Sequence, residues 1–424
     1  MPKSKSLTPS ALAVLPEEEL LEAVQRQTFA FFWEGAHPVS GLSADRRLTV
    51  GEPADDLIAT GGSGFGAMAI IIAVERGWVT RADGVQRLNA MLDLLSRATC
   101  YHGAFPHFMN GRTGATIPFT RKDDAGDLVE TSFLIMGLLC ARQYFSKDEP
   151  LEARIRGLVD YIWRDVEWDW YTRQRNSLTW HWSPNNGWAM DLEIRGWNEC
   201  LITYLLAASA PRYGIEPDLY HKGFAMGREY FNGKSYYGIP LPLGTPYGGP
   251  LYFAHYSFSG IDPRGLKDRY ADYWQQNLHH VRINHAHCEL NPHGHKGYGK
   301  DCWGLTSSDG PQGYAGHAPD NDDGTIAPTA ALSSMPYAPR EAIAAIRHFL
   351  NAHDAKIWGR FGFVDAFCEA KQWYADTFLA IDQGPIIVMI ENYRSGLLWK
   401  LFMGVPEIQA GLRALSFTSP HLTP

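Results

Sequence analysis

Residues 121–130 have the sequence RKDDAGDLVE, and residues 131–140 continue it with the apolar run TSFLIMGLLC. If the whole stretch is helical, Asp123, Asp127 and Glu130 stand at i, i+4 and i+7 and share one face, within about 60° of one another. Carboxyl groups crowded into a cleft raise the pKa of at least one of them, as acid/base chemistry requires. In the alternative, the acids form a solvated helix start that complements the helix dipole. The apolar neighbours favour a helix that is buried nearly all round.

A second acidic segment has the same character. Residues 188–199 have the sequence WAMDLEIRGWNE and lead into the apolar residues 200–206. If they are helical, Asp191, Arg195 and Glu199 stand at i, i+4 and i+8, the spacing of a surface ion-pair ladder. Yet Glu199 is followed at once by apolar residues, as the last acid of the first segment is. Two helices that each carry a carboxyl group at the edge of an apolar run could supply the two acids of a glycosidase.

The composition limits the class of protein. With 424 residues the chain could hold two or three average domains, yet no linker separates them, so we predict one domain. The net charge of −8 and the scattered Lys and Arg residues argue against binding to nucleic acid or to anionic lipid. No stretch approaches the roughly 20 apolar residues of a membrane span.

The cysteines and the first residues bear on the compartment. Six widely spaced cysteines form no CxxC pair, which predicts free thiols in a reducing compartment. Residues 1–15 have only a short, interrupted apolar stretch, so they make a weak signal peptide and are predicted to be a flexible segment. We expect a cytoplasmic protein, or a periplasmic one if the chain was trimmed.

Helical periodicity dominates the chain. Helices are predicted at residues 16–33, 64–76, 80–98, 124–144, 150–163, 189–208, 217–231, 265–281, 325–335, 339–351 and 385–402, with a weaker one near Trp303. Strand signals are short and local, at residues 239–243 and 362–364, and predict hairpins in the loops. A dozen helices of similar length predict an all-α fold, an α/α toroid whose inner helices are the more apolar ones.

Five tryptophans lie in or beside one polar segment that also contains His181, Asn185 and Asn186. They are Trp168, Trp170, Trp180, Trp182 and Trp188. Flat rings beside amide groups are what sugar rings stack on and hydrogen-bond with. The alternative is a large loop with its own small core, and the sequence leaves both open.

Other constellations indicate less. Six histidines and one cysteine lie close together in the sequence but lack the spacing of a known zinc motif, so we predict that they line a loop. They are His279, His280, His285, His287, His293, His295 and Cys288. The sequence GGSGFG at residues 61–66 does not match GxGxxG and follows no predicted strand, so no dinucleotide site is expected. The chain has no GxSxG motif, which removes the serine hydrolases with a nucleophile elbow. We predict neither a cofactor nor a bound metal.

A series of motifs in one order extends over nearly the whole chain. It includes FFW (31–33), VERGW (74–78), ETSFL (130–134), GWNE (196–199), YGGPL (247–251), HYSF (255–258), WGLTSSDG (303–310), FGFVDAF (361–367), IDQGP (381–385) and ENYRSG (391–396). With these motifs the chain resembles the bacterial β-1,2-glucanases and the related glycoamylase-like domain. The resemblance implies that residues 1–424 form a single catalytic domain, an (α/α)6 toroid with short β-hairpins in its loops. It also implies hydrolysis of β-1,2-linked glucan or β-1,2-gluco-oligosaccharides, with no cofactor.

The acidic centre of the family falls on Asp123, Asp127, Glu130 and Glu199. The resemblance implies an inverting hydrolase in which Glu199 is the general acid. Asp127 or Asp123 would activate the water, directly or through a water or sugar hydroxyl, and Glu130 would tune the cluster. Residues expected to bind the substrate over the toroid mouth are His102, Arg112, Trp182, Trp188, Tyr247, Tyr256 and Tyr314.

The expected partner is an oligosaccharide or polysaccharide substrate, with no nucleic acid and no membrane. Two alternatives stay open: a sugar epimerase or isomerase on the same toroid, and a glycan-binding protein without turnover. Endo or exo action, the linkage and chain length of the substrate, the general base and the oligomeric state also stay open.

Overall fold

The computed structural model describes residues 7–51, 56–227 and 230–422, and most of its regular elements are helices. The helices are α1 (Pro9–Ala13), α2 (Glu17–Trp33), α3 (Thr60–Glu75), α4 (Arg81–Leu95), α5 (Leu128–Tyr144), α6 (Pro150–Asp165), α7 (Leu201–Ser209), α8 (Tyr273–Leu290), α9 (Pro328–Ser333), α10 (Pro339–Ala352), α11 (Ala380–Arg394), α12 (Leu397–Met403) and α13 (Pro406–Ala414). Short strands lie between them: β1 (Arg46–Leu48), β2 (Leu57–Ala59), β3 (Phe108–Asn110), β4 (Thr116–Ile117), β5 (Gly126–Asp127), β6 (His181–Trp182), β7 (Phe231–Tyr236), β8 (Ile239–Leu243), β9 (Ser307–Ser308), β10 (Ala315–Gly316), β11 (Trp358–Gly359), β12 (Gly362–Phe363), β13 (Phe367–Cys368), β14 (Trp373–Tyr374) and β15 (Thr377–Leu379).

Two kinds of helix alternate along much of the chain. Helices α3, α5, α7, α9 and α11 are buried on nearly every face, and in α3 each residue from Thr60 to Ala73 is buried. Helices α2, α4, α6, α10 and α13 bury one face only. In α10 the buried residues, which include Ala342, Ile346 and Phe349, recur every three or four positions and form one apolar stripe. The fully buried helices are therefore inner helices, and the amphipathic ones cover them.

The inner helices α3, α5 and α11 run parallel and start at the same end of the molecule. Gly64 of α3 lies against Phe133 of α5, so closely that a Cβ atom on Gly64 would stand 2.1 Å from the Phe133 carbonyl oxygen. Gly62 packs in the same way on Ala380, the first residue of α11. Because both contacts join the first or second turns of these helices, the N-termini of α3, α5 and α11 lie close together.

Short antiparallel strand pairs surround that end. Strands β2, β5 and β15 lead directly into α3, α5 and α11, respectively. Strand β5 pairs with β6 and places Asp127 opposite His181. The two predicted hairpin strands are confirmed as β8 and β12, and β8 pairs with β7.

Most predicted helices are confirmed to within a few residues, but two acidic segments are corrected. Residues 124–127 do not belong to α5, because Asp127 caps the helix from an extended backbone conformation. The predicted helical face that joins Asp123 to Asp127 and Glu130 is therefore wrong. Residues 189–200 are irregular as well, since Asp191 and Gly196 have positive φ angles of 44° and 81°. Helix α7 begins only at Leu201.

Four further predictions differ from the structure. Of the predicted helix at residues 217–231, the described residues 217–227 form a π-helical turn at Tyr220–Phe224, and Phe231 begins β7. Helix α8 starts at Tyr273 rather than at residue 265 and carries four of the histidines that were expected in a loop. The predicted helix at residues 385–402 is two helices, because Gly396 between them has a φ of 69°. Trp303 lies in a loop.

No helix in the described ranges is long and apolar enough to cross a membrane. All six cysteines are unpaired thiols, as predicted from their spacing.

Because α3 and α5 lie so close together, adding one methyl group at Gly64 should lower the stability of the fold. A Gly64→Ala variant should lose about 1 to 3 kcal/mol of unfolding free energy, because its Cβ would collide with the Phe133 backbone. The matched control is Gly157→Ala in α6, where no atom lies within 4 Å of the added Cβ. That variant should gain about 0.5 to 1 kcal/mol from its higher helix propensity. Urea unfolding of both variants measures the difference, and equal stabilities would contradict the packing described.

Candidate active site

The acidic site begins where α5 begins. Asp127 is the N-cap of α5, and its Oδ1 accepts hydrogen bonds of 2.9 Å from the backbone N–H groups of Val129 and Glu130. Glu130 is the third residue of the same helix, and its Oε2 accepts a 2.7 Å hydrogen bond from the backbone N–H of Gly61. Gly61 belongs to the first turn of α3, whose N–H groups have no partner within their own helix. A carboxyl group of α5 therefore caps α3.

Burial governs the protonation of Glu130. Burial raises its pKa to about 7, and the charge of Asp127 adds to the shift, while His107 and the Gly61 hydrogen bond oppose it. Positively polarised helix N-termini favour the charged form here. The result is a carboxyl group that exchanges its proton near neutral pH.

Two histidines accompany the aspartates. His107 Nδ1 lies 3.2 Å from Asp127 Oδ2, and the His107 ring stacks on Phe119 with centroids 4.3 Å apart. Burial lowers the pKa of His107, but the charge of Glu130 and the hydrogen bond to Asp127 outweigh it and raise the pKa to about 10. This imidazole is therefore a cation that neutralises part of the acid cluster.

Asp123 stands at the edge of the same cluster, beside the second histidine. His181 Nε2 lies 3.1 Å from Asp123 Oδ1 without hydrogen-bond geometry, so this buried oxygen has no hydrogen-bond donor among the described residues. Because β5 pairs with β6, the strand register holds His181 and Asp127 opposite each other. Asp123 and Asp127 thus share the site although they share no helix.

Glu199 reaches the site from the turn before α7. Its side chain is buried, and burial raises its pKa to about 7, with further contributions from the charges of Asp127 and Glu130. Ser257 Oγ holds it in place by donating to its backbone carbonyl oxygen. In the part of the chain that the structure describes, no side chain donates a hydrogen bond to the carboxyl group of Glu199. Arg195, the expected ladder partner, pairs with Glu193 instead, at 3.0 Å.

A second group of acids, which the sequence did not single out, lies beyond this cluster. Its members are Asp45, Asp309, Asp365 and Asp382. Burial, followed by the charge of Asp309, raises the pKa of Asp365 to about 7. Burial and the adjacent Asp365 raise the pKa of Asp382 well above its usual range, so the pair holds a proton at neutral pH. Asp45 links the two groups, because its charge also acts on Glu130.

One sequence signal could have revealed this second group. Asp382 is the third residue of α11, an inner helix that is buried on nearly every face, and it is itself buried. Glu130 has the same position in α5. The sequence therefore contains two inner helices with an acid at the third position, and a role is predicted from the sequence only for the acid of α5, Glu130.

The residues expected to bind substrate fall into three situations. Tyr256 is buried at the site, where burial and the charges of Asp382 and Glu199 raise its pKa. Tyr314 is 53% exposed and lies near the second acid group. The exposed guanidinium of Arg112 pairs with Asp56 at 3.4 Å rather than with any of the four predicted acids.

The aromatic segment has its own packing. The rings of Trp182 and Trp188 lie 6.4 Å apart, and both approach Trp170. His102 stacks on Trp170 at 3.8 Å and pairs with Glu167. Trp182 follows His181 in β6, so the cluster is attached to the acid site. The rings therefore form a small core of their own, and the stacking of sugar rings on them stays a prediction.

Tyr247 lies on another loop. Its backbone has a φ of 58°, and its ring packs on Tyr236 and Tyr237 at 4.4 and 5.8 Å. A cavity of about 540 Å³ is lined by Trp358, Tyr374 and their neighbours, and none of the acids of the two groups described above lines it. The acidic site therefore lies outside that cavity.

Three clusters among the described residues have metal-ligand character. They are His107 with Asp123 and Asp127, His287 with His293 and Asp322, and His348 with His353 and Glu369. In the first cluster a metal ion would have to displace a proton from His107, whose pKa the neighbouring acids raise to about 10.

Comparison with known proteins gives consistent matches. The family model "Glycoamylase: Putative glucoamylase" matches residues 191–406. The chain is 53% identical to a "putative glucoamylase" from Bacteroides uniformis ATCC 8492, with a TM-score of 0.93 over 99% of this chain and 100% of that one. It is 50% identical to an endo-β-1,2-glucanase from Chitinophaga pinensis, in complex with sophorotriose and glucose, with a TM-score of 0.94 over 96% and 100% of the two chains.

A curated relative is also similar. The chain is 44% identical over 423 residues to an exo β-1,2-glucooligosaccharide sophorohydrolase (non-reducing end) from Parabacteroides distasonis. The match covers 95% of this chain, which spans 58% of the length of that relative. The chain therefore belongs to the glycoamylase-like family of β-1,2-glucanases, as its motifs indicated.

The raised pKa of Glu199 predicts a pH-dependent stability. Its pKa rises from the ordinary value of 4.5 to about 7 on folding, so the folded state binds more protons between these values, and stability falls as pH rises through this window. Replacing Glu199 with Gln should make the decrease in unfolding free energy with rising pH smaller by up to about 3 kcal/mol. Urea unfolding at pH 4.5 and pH 8 measures it, with Asp148→Asn, at an exposed loop position, as the control. Identical pH profiles for wild type and Glu199→Gln would contradict a protonated, buried Glu199.

Proposed function

We propose that the chain is an inverting glycoside hydrolase on an (α/α)6 toroid, and that it cleaves β-1,2-linked glucan or β-1,2-gluco-oligosaccharides. One observation carries the proposal: Glu199, in the turn before α7, and Asp127 and Glu130, at the start of α5, lie close enough in one buried site for their charges to act on one another. The alternation of inner and outer helices supports the toroid. The β-1,2 linkage is supported by two relatives, an endo-β-1,2-glucanase and an exo β-1,2-glucooligosaccharide sophorohydrolase.

Glu199 is the proposed general acid. Its pKa of about 7 allows it to hold a proton near neutral pH, and no side-chain donor in the described ranges competes for its carboxyl group. In the reaction it protonates the departing glycosidic oxygen as the bond to the anomeric carbon breaks. Glu130 is less suited, because its Oε2 is already engaged by the Gly61 N–H.

The base takes a proton from the water that attacks the anomeric carbon on the opposite side. Both oxygens of Asp127 are engaged, one by two backbone N–H groups and one by His107. Asp123 has an oxygen without a hydrogen bond. We therefore favour Asp123 as the base, with Asp127 holding α5 and His107 in position.

The two alternatives differ in what they require. An epimerase or isomerase needs a base that removes a carbon-bound proton, and His107, whose pKa is raised to about 10 by Glu130 and Asp127, is unsuited to that role near neutral pH. A binding protein needs no carboxyl group with a raised pKa, whereas burial raises the pKa of Glu199 to about 7 and makes its ionisation costly. The hydrolase is the function that uses both features.

Product analysis tests the function directly. The protein should release sophorose or longer fragments from β-1,2-glucan or sophoro-oligosaccharides, and little from β-1,3-, β-1,4- or β-1,6-glucans. NMR during the first minutes should show the α-anomer at the new reducing end, as inversion requires. Release of the β-anomer would contradict inversion, and isomerised but intact sugars would contradict hydrolysis.

The role of Glu199 can be tested by removing its proton alone. Glu199→Gln should lose on the order of 10²-fold or more in kcat on natural β-1,2-glucosides, with KM nearly unchanged. Substrates whose leaving group departs without protonation, such as glycosyl fluorides, should lose much less. Glu193→Gln is the matched control, because Glu193 is a nearby acid that pairs with arginines. An unaltered basic limb in the pH profile of Glu199→Gln would assign the acid elsewhere.

The aromatic residues should act mainly in binding. Alanine at Trp182, Trp188, Tyr247 or Tyr314 should raise KM more than it lowers kcat, because stacking stabilises the ground state and the transition state alike. Steady-state kinetics on a sophoro-oligosaccharide measures the two constants. Tyr161→Ala is the control, since Tyr161 is an exposed aromatic residue on outer helix α6. Kinetics unchanged in all four variants would remove these residues from the cleft.

A further inference from the structure

Away from the acid site, four donor side chains meet where α8 ends. His287 is in the last turn of α8, His293 and His295 follow in the next loop, and Asp322 comes from the loop between β10 and α9. His287 Nε2 lies 2.8 Å from Asp322 Oδ2, and His295 Nε2 lies 3.4 Å from the same oxygen. The donor atoms of His287, His293 and Asp322 all lie within 4.8 Å of one another.

We propose that these four residues form a structural zinc site. Three imidazole nitrogens and one carboxylate oxygen are ligands that Zn²⁺ accepts, and four protein donors fill its tetrahedral shell. With bonds of about 2.0 to 2.1 Å, tetrahedral donors stand about 3.3 Å apart, between the two distances to Asp322 Oδ2. The inference is independent of the hydrolase assignment.

His295 Nε2, which lies 3.4 Å from Asp322 Oδ2 but makes no hydrogen bond, favours the metal over a hydrogen-bonded cluster. Without a metal, His287 Nε2–H donates to Asp322 Oδ2, and Tyr237 O–H donates to His287 Nδ1 at 2.8 Å. That arrangement leaves His295 Nε2 buried without a hydrogen bond. With Zn²⁺, the lone pair of His295 Nε2 binds the ion, and His287 Nδ1–H donates to Tyr237 instead.

Surrounding groups already orient the donors. Tyr298 O–H and the Gly324 N–H hold Asp322 Oδ1 at 2.7 and 3.0 Å, which leaves Oδ2 for the metal. Tyr237 fixes the ring of His287 from behind. Hydrogen bonds of this kind to the far side of each ligand are usual in metal sites.

The site joins segments that are far apart in the sequence. It ties the C-terminal turn of α8 to the loops on either side of β9 and β10. Through Tyr237, at the turn between β7 and β8, it also reaches Tyr247, whose ring lies 5.8 Å away. Bound Zn²⁺ would fasten these loops together.

Zinc binding can be measured on the tag-free full chain after dialysis against a chelator and then against chelator-free buffer. Calorimetric titration with ZnCl₂ should show one equivalent bound, with a rise of several degrees in Tm, whereas MgCl₂ should produce neither. Co²⁺ in its place should give the intense visible bands of tetrahedral coordination.

Variants decide where the ion binds. His293 is exposed, so His293→Ala should fold normally, yet bind Zn²⁺ at least tenfold more weakly and lose most of the Tm gain. His295→Ala should do the same, and His279→Ala, elsewhere on α8, should behave as wild type. His348→Ala tests the competing cluster. The proposal is overturned if wild type binds no zinc, if His293→Ala changes the affinity less than tenfold, or if His348→Ala is the variant that loses it.

Discussion

The structure depends on the meeting of inner-helix N-termini at one end of the molecule. Each helix start exposes N–H groups that its own backbone cannot satisfy, and the carboxyl group of Glu130 on α5 satisfies one on α3. The helix dipoles favour negative charge at this end, while burial disfavours it. These opposing effects leave Glu130 and Glu199 poised near pH 7 rather than fully ionised. The chemistry of the site is thus a consequence of how the helices pack.

Glycine makes this meeting possible. A Cβ atom on Gly61 would stand 2.7 Å from the Glu130 carboxylate, and one on Gly64 would overlap the α5 backbone. Side chains at these positions would separate α3 from α5 and remove the donor that engages Glu130. Residues 61–66, which lack the GxGxxG spacing of a dinucleotide-binding loop, therefore have a structural role. Its small residues bring two helix starts close enough for a carboxyl group of one to cap the other.

The helices and the four acids could be predicted from the sequence, but the geometry that joins the acids could not. Periodicity locates most helices because burial on a helix repeats every three or four residues. The same rule failed at Asp123 and Asp127, which converge through strand pairing with His181 and through capping, and neither leaves a periodic signal. It failed again before α7, where left-handed residues break the pattern. Long-range contacts decide such segments, and a single sequence does not display them.

The same local design occurs on both sides of the site. Strand β5 leads into α5 with Glu130 at the third position, and β15 leads into α11 with Asp382 at the third position. Each acid is buried and holds a proton more tightly than an exposed carboxyl group does. Glu199 departs from this design, since no strand precedes α7 directly and no neighbouring donor in the described residues holds its carboxyl group. A neighbouring N–H donor would stabilise the ionised carboxylate and occupy one of its oxygens, so the acid without such a donor is the one best placed to keep its proton and pass it to a substrate.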